Sequence, residues 1–372
     1  MLGAYGQIDS WKTLLFYLTS GGGDPIGRPL ALLSFLLDAN SWPTTPWPFK
    51  RTNLCLHLLN TALLAWTIAR LQVALQRRRT DLPVSGWTPI LAAALWGAHP
   101  FFVSTTLYIV QREAMLPMTF VMLALLAWER AVAAFERRCE LAGWAWALFG
   151  MGGAATLAIL SKANGILTPM LVGIAYLWCL RPQPLGSSLP LGRSMDRAAM
   201  LCLALPSAIL LVYLIRYGWQ LWSIPQLEGR DWILPERLLS EPRAIWRYVG
   251  QLVLPRSGGG GLYVDDFATS HDWLHPATTL PAIVALLASV IAAVTLRRRF
   301  LLASFAWLFF LAAHLLESST IPLELYFEHR NYLPAAFLGW PLAHWLLRPG
   351  TDQKARIALA AAIMGGLLLL TH

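Results

Sequence analysis

The feature that most constrains this chain is the recurrence of apolar runs of 14 to 23 residues, at 53–75, 87–105, 114–135, 143–160, 166–180, 198–216, 281–296, 301–316, 332–347 and 357–370. A helix needs about 20 residues to cross the hydrocarbon core of a bilayer. Inside that core every backbone N–H and C=O must be satisfied within the segment, which selects helices. The composition agrees: 372 residues with 56% hydrophobic and only 13% charged side chains, against about 25% charge in soluble domains. The expected fold is therefore all-α, a polytopic integral membrane protein of about ten transmembrane helices.

The connections between these runs fall into two alternating classes. Segments 76–86, 136–142, 181–197, 297–300 and 348–356 hold 14 Lys/Arg in 48 residues, whereas 1–52, 106–113, 161–165, 217–280 and 317–331 hold 12 in 144. The positive-inside rule puts the first class, with Arg77-Arg78-Arg79 and Arg297-Arg298-Arg299, in the cytoplasm. Clusters of this kind explain the net charge of +9 without a nucleic-acid partner. The same rule leaves residues 1–52 outside with no apolar segment or signal peptide before them, and the favoured expectation is that an original first helix precedes the chain as given. Cys55, Cys139, Cys179 and Cys202 show no C-x-x-C spacing and read as packing residues.

Four regions follow: 1–52, an outer N-terminal segment; 53–216, transmembrane helices one to six; 217–280, an external loop; and 281–372, transmembrane helices seven to ten. In the first, PLALLSFLL at 29–37 follows a Gly/Pro-rich stretch. It is too short to span and reads as a helix lying at the outer interface. In the third, 235–254 repeats apolar residues at helical spacing, and SGGGG at 257–261 precedes Asp265 and Asp266. Most of the 18 Trp residues fit an aromatic belt.

Polar residues near a bilayer are costly, so each invites the question of what satisfies it. The outer class carries Asp24, Arg28, Asn53, His57, His99, Arg112-Glu113, Ser161-Lys162, Asp265-Asp266, His271-Asp272, Glu317, Glu324, Glu328 and Arg330. The cytoplasmic class offers almost only Arg. Acids fit base or metal work and cations fit phosphate. Lys162, in a five-residue interruption between apolar runs, either binds a lipid phosphate at headgroup level or snorkels outward. Glu328 and Arg330 form either a local ion pair or part of a polar site. His99, before Pro100, is more often a satisfied structural histidine than a base. Asp265-Asp266 are weak candidates for a cation, since a turn acid pair is usually just solvated and six or more oxygens are required.

Taken in order, Gly27-Arg28-Pro29-Leu30, Phe49 to Asn53 with Leu56-His57, Gly97-Ala98-His99-Pro100, Arg112, Ser161-Lys162 with Asn164 and Pro169, and Arg330-Asn331-Tyr332-Leu333-Pro334 resemble the membrane half of transmembrane and tetratricopeptide-repeat O-mannosyltransferases and their bacterial relatives. These are GT-C glycosyltransferases, and the likeness runs over roughly residues 8 to 340. The resemblance implies a polyprenyl-phosphate sugar as donor substrate, entering from the bilayer, and O-glycosylation of a protein or glycan acceptor on the non-cytoplasmic side. It also implies a bacterial inner membrane with the active side facing the periplasm, and leaves a divalent metal open. By position, Arg28, His57, His99, Arg112, Lys162, Glu328 and Arg330 match residues lining or supporting the outer cavity. Two departures stand out: the family's acidic pair lies before the start of this chain, leaving Asp24 and then Asp9 as the catalytic candidates, and the usual Ser-Lys-Glu is Ser161-Lys162-Ala163 here. No repeats follow Leu370.

The expected function is a membrane glycosyltransferase, with Lys162, Arg330, Arg112 and Arg28 on the donor phosphate. Two rivals remain: a lipid-linked-sugar transporter or flippase that breaks no bond, and a degenerate GT-C domain serving as an assembly partner.

Overall fold

The computed structural model describes residues 7–22, 24–79, 85–181, 191–225, 227, 229–255 and 267–371. Asp265, Asp266 and the 257–261 glycine run lie outside the described residues. Within them every extended element is helical, with one isolated bridge between Gln7 and Ser41.

Six helices are long and apolar enough to cross a membrane: α3 (Trp47–Gln76), α5 (Ile109–Glu136), α6 (Glu140–Ser161), α7 (Ala163–Leu180), α8 (Ser194–Leu221) and α13 (Gln353–Leu370). The protein is thus a polytopic membrane protein. Of the ten runs in the sequence, the remaining four take other forms. The run at 87–105 is a pair, Thr88–Gly97 and Pro100–Leu107 (together α4), bent by 52°. His99-Pro100 is the physical cause, because a proline lacks the N–H that would continue the ladder. The runs at 281–296 and 301–316 become the shorter apolar helices α10 (Thr279–Thr295) and α11 (Leu301–His314). The run at 332–347 splits into 3-10 turns and the nine-residue α12 (Gly339–Leu347).

Helix α5 sits at the centre. Its residues from Ala114 to Phe135 are buried on almost every side, as expected for a helix apolar all round. Trp128, Met115, Met118, Met122 and Leu125 join Phe305, Phe309, Phe337 and Trp340 of the C-terminal half in one continuous core. Polar side chains stitch the bundle internally. His57 Nε2 donates to Gly97 O at 2.8 Å, its Nδ1 accepts from the Tyr332 hydroxyl at 2.8 Å, and Thr119 Oγ1 donates to Asn60 Oδ1 at 2.6 Å.

The N-terminal segment folds into α1 (Trp11–Thr19) and α2 (Pro29–Phe35). Ser10 starts α1 by accepting from Thr13 N while Thr13 Oγ1 accepts from Ser10 N, a capping box. Gly27 lies at φ +79° and its carbonyl presses on Gly21, where a Cβ would sit 1.8 Å from Gly27 O. Only glycine fits both ends of this turn. A small core of Ile8, Tyr17, Leu32, Phe35 and Phe49 closes the segment. In the 217–280 segment, helix α9 (Leu234–Val253) matches the amphipathic stretch of the sequence.

The two classes of connection separate in space. At one end Arg78 donates to Cys179 O at 3.0 Å and pairs with Glu136 at 2.8 Å, Arg79 donates to Arg298 O, and Ser194 donates to Glu140. Four of the basic connections therefore meet there. The outer-class segments 1–52, 106–113, 161–165 and 317–331 meet at the other end, around the polar cluster described next.

Candidate functional site

Helix α6 ends at Ser161 and α7 begins at Ala163, so the break between them narrows to Lys162, held in extended conformation (φ −163°, ψ 147°). Such a sharp reversal needs close backbone approach. A Cβ on Gly165 would lie 2.2 Å from Ala158 C, which explains the glycine three residues after the lysine. The Lys162 chain does not snorkel to the surface; it is 7% exposed and its Nζ lies 2.5 Å from Glu317 Oε1. Glu317 is itself buried.

Arg28 approaches from the N-terminal segment. Its backbone is left-handed (φ 57°), a conformation that costs a non-glycine residue about 1 kcal/mol or more. The guanidinium meets Asp24 Oδ2 at 2.7 Å and ion-pairs with Glu113. Burial works to lower the Arg28 pKa, and the two carboxylates more than offset it, leaving it raised. Asp24 Oδ2 also accepts from Ala163 N at 3.0 Å, tying the N-terminal segment to the Lys162 break.

Arg330 completes the group from a 3-10 turn at Glu328–Asn331. It is 4% exposed, its guanidinium lies 5.2 Å from the Phe327 ring centroid, and its Nη1 finds no hydrogen-bond partner among the described residues. The field of the cluster shows at its neighbours. Burial alone would raise the Glu317 pKa, but Lys162 and then Arg330 outweigh it and hold the carboxyl at about 2. His329 is pushed down to about 3, first by burial and then by Lys162, against Glu317, with Arg330 and Arg28 adding to the fall. Arg28, Lys162 and Arg330, far apart in sequence, thus act on one imidazole.

The other sequence candidates divide. Glu328 is buried beside Arg330 and accepts from Gln251 Nε2 at 3.3 Å. Arg112 is 1% exposed and fully engaged by protein acceptors: Asn53 Oδ1 at 2.7 Å, Ser34 O at 2.7 Å, Asp38 Oδ2 at 2.5 Å and Phe49 O at 3.1 Å. It fastens α2 to α3 and α5. His57 has both ring nitrogens on protein partners, and so does His99, which donates from Nε2 to Leu252 O at 3.0 Å and accepts from Phe101 N. Both are structural histidines. Asp9 is exposed at the start of α1, where its carboxylate accepts from Thr13 Oγ1 at 3.5 Å. Of the two acids read as catalytic candidates, only Asp24 joins the cluster. Among the described residues no three His, Cys, Asp or Glu gather in a way that holds a metal ion.

No protein-family model, curated protein or solved structure matches the chain. The site therefore rests on its own geometry.

Two residues outside the sequence candidates prove central to it. Arg237 of α9 is wholly buried and donates to the carbonyls of Glu317 (2.6 Å), Ser319 (2.9 Å) and Leu323, while pairing with Glu241 at 2.8 Å. Burial lowers the Arg237 pKa to about 10 and raises that of Glu241 against the pull of Arg237. The amphipathic pattern flagged α9 as a helix, but an arginine and a glutamate four apart look like an ordinary surface pair. Their insertion under the 317–324 backbone is a tertiary fact.

Proposed function

We propose that this protein is a GT-C-like membrane glycosyltransferase of about ten membrane segments. On this reading it moves a sugar from a polyprenyl-phosphate donor to a protein or glycan hydroxyl on the non-cytoplasmic side, in a bacterial inner membrane. The observation that carries this is the convergence of Arg28, Lys162 and Arg330 with Asp24, Glu113 and Glu317 in one cluster, Lys162, Glu317 and Arg330 buried and the rest half-buried, at the end of the bundle opposite the arginine-rich turns. Glycosyl transfer from a lipid phosphate needs cations to stabilise the departing phosphate as its charge grows. It also needs a carboxylate to take the proton of the acceptor hydroxyl. The cluster holds both residue types next to the ends of apolar helices, where a lipid-linked headgroup arrives.

One observation favours a second reading, a carrier of lipid-linked sugar or an assembly partner that breaks no bond. Asp24 receives both the Arg28 guanidinium and the Ala163 amide on a single oxygen, so this acid is already engaged as a structural acceptor. Transfer from a polyprenyl-phosphate sugar by the purified protein, alongside Lys162→Ala and Arg330→Ala, separates the two. Transfer that drops at least a hundredfold in both variants supports the enzyme. Undiminished transfer removes the donor site, and donor binding with no transfer in the unaltered protein supports the carrier.

A further inference from the structure

Lys162 sits in the outer cluster with its charge already answered. Its ammonium touches the Glu317 carboxylate at 2.5 Å, and both side chains are less than a tenth exposed. Arg330 acts on the same carboxylate electrostatically without entering ion-pair contact, and its buried Nη1 donates to nothing among the described residues. A buried guanidinium nitrogen left without an acceptor is costly. Here one carboxylate feels two cations and pairs with Lys162.

We propose that Glu317 is a built-in counter-ion of the anion site: its carboxylate holds the place of an anionic ligand, and a phosphate group binds by displacing it from Lys162 and meeting the open Nη1 of Arg330. This rests on the reading of the cluster as a donor-phosphate site and adds how that site is kept charged but closed. Three features support the exchange. Phosphate and carboxylate are interchangeable partners for both cations. A neutral ligand cannot drive it, because removing one member of a buried pair strands the other charge, so Glu317 selects for anions. The backbone of Glu317 is pinned by Arg237 through its carbonyl at 2.6 Å, which confines the change to the Glu317 side chain.

The experiment uses the purified full chain in lipid nanodiscs, with farnesyl phosphate and inorganic phosphate as probes. Glu317→Gln keeps the shape of the side chain and removes its charge, and it binds farnesyl phosphate at least tenfold tighter than the unaltered protein. In the unaltered protein, labelling of Glu317 by a water-soluble carbodiimide, read by mass spectrometry, rises several-fold as farnesyl phosphate saturates. Release by farnesyl phosphate but not by equal inorganic phosphate assigns the anion to a lipid headgroup, and equal release by both assigns it to free phosphate; either supports the exchange. Labelling that stays constant while the probe binds overturns it without recourse to any variant. If Lys162→Ala and Arg330→Ala weaken binding while Glu317→Gln fails to strengthen it, the counter-ion role is wrong and the anion site stands. If none of the three changes binding, the anion site falls with it.

Discussion

The two ends of the bundle use the same residue types in opposite ways. At the basic end Arg77, Arg137, Arg138 and Arg297 to Arg299 are exposed, and Arg78 and Arg79 reach back to the carbonyls of Cys179 and Arg298 near helix ends. Most of those charges stay exposed, although Arg78 pairs with Glu136, and clusters of this kind commonly orient membrane helices. At the other end Arg112, Lys162 and Arg237 are buried and Arg28 is half-buried, and each meets a carboxylate: Asp38, Glu317 and Glu241, with Asp24 and Glu113 on Arg28. A hydrated arginine is interchangeable with its neighbours, whereas a buried one is tied to specific partners. The contrast suggests that function resides where charge has been desolvated and then matched.

The largest expected effects come from breaking matched pairs. Arg237→Ala strands Glu241 and frees the carbonyls of Glu317, Ser319, Leu323 and Glu324, and Arg112→Ala strands Asp38. Each is expected to cost about 3–5 kcal/mol, the usual penalty for uncompensating a buried pair, seen as a lower unfolding midpoint in detergent or loss of folded protein. A midpoint unchanged by Arg237→Ala would break the comparison at its strongest point. Next, Lys162→Ala is expected to cost about 3 kcal/mol by the same mechanism and more than Glu317→Gln, which leaves the lysine a neutral acceptor. Equal midpoints for the two variants would show that this pair is solvated after all.

A pH series sharpens the contrast more gently. Glu317 is depressed to about 2 in the folded protein, so its contribution is present above the ordinary carboxylate range and is lost as pH falls through the folded value. His329, depressed to about 3, works in the same direction. The unfolded chain takes up its proton first, near pH 6.5, so stability declines as pH drops below that and levels only near pH 3. His329→Gln should flatten the unfolding midpoint between pH 7 and pH 4, and an unchanged slope would assign that window to other groups. The smallest effect belongs to the basic end. Replacing Arg297, Arg298 and Arg299 by Gln is expected to shift stability by only about 0.5 kcal/mol while weakening the orientation of the neighbouring helices. Cysteine labelling from each side of the membrane reads this, and labelling of position 162 only from the cytosol would reverse the proposed sidedness.

Much of the fold was legible where the signal is local. The short apolar stretch at 29–37 appears as a helix, α2, Pro29–Phe35, and the amphipathic stretch at 235–254 as α9, Leu234–Val253, because hydrophobic periodicity and a proline at the start are properties of neighbouring residues. Four apolar runs did not become single helices long enough to cross a membrane, since apolar content along a stretch does not fix where a helix begins, bends or ends. The runs at 281–296 and 301–316 form helices of 17 and 14 residues, and 332–347 divides into the 3-10 turn Pro334–Phe337, whose Phe337 packs on Phe305 and Phe309, and α12. The site was half legible. Arg28, Lys162 and Arg330 stood out as ions beside apolar runs, but the same reasoning singled out Arg112, His57 and His99, whose polar atoms are spent on the fold.

The sequence by itself determined the solvent of this protein and the division of its loops, because bilayer burial and the placement of arginine depend on composition along short stretches. Only the tertiary structure decided which charges are partners. Lys162 and Glu317 stand 155 residues apart and Arg112 and Asp38 stand 74 apart. An ion pair depends on distance and desolvation in space, and neither is written in the spacing of residues along a chain.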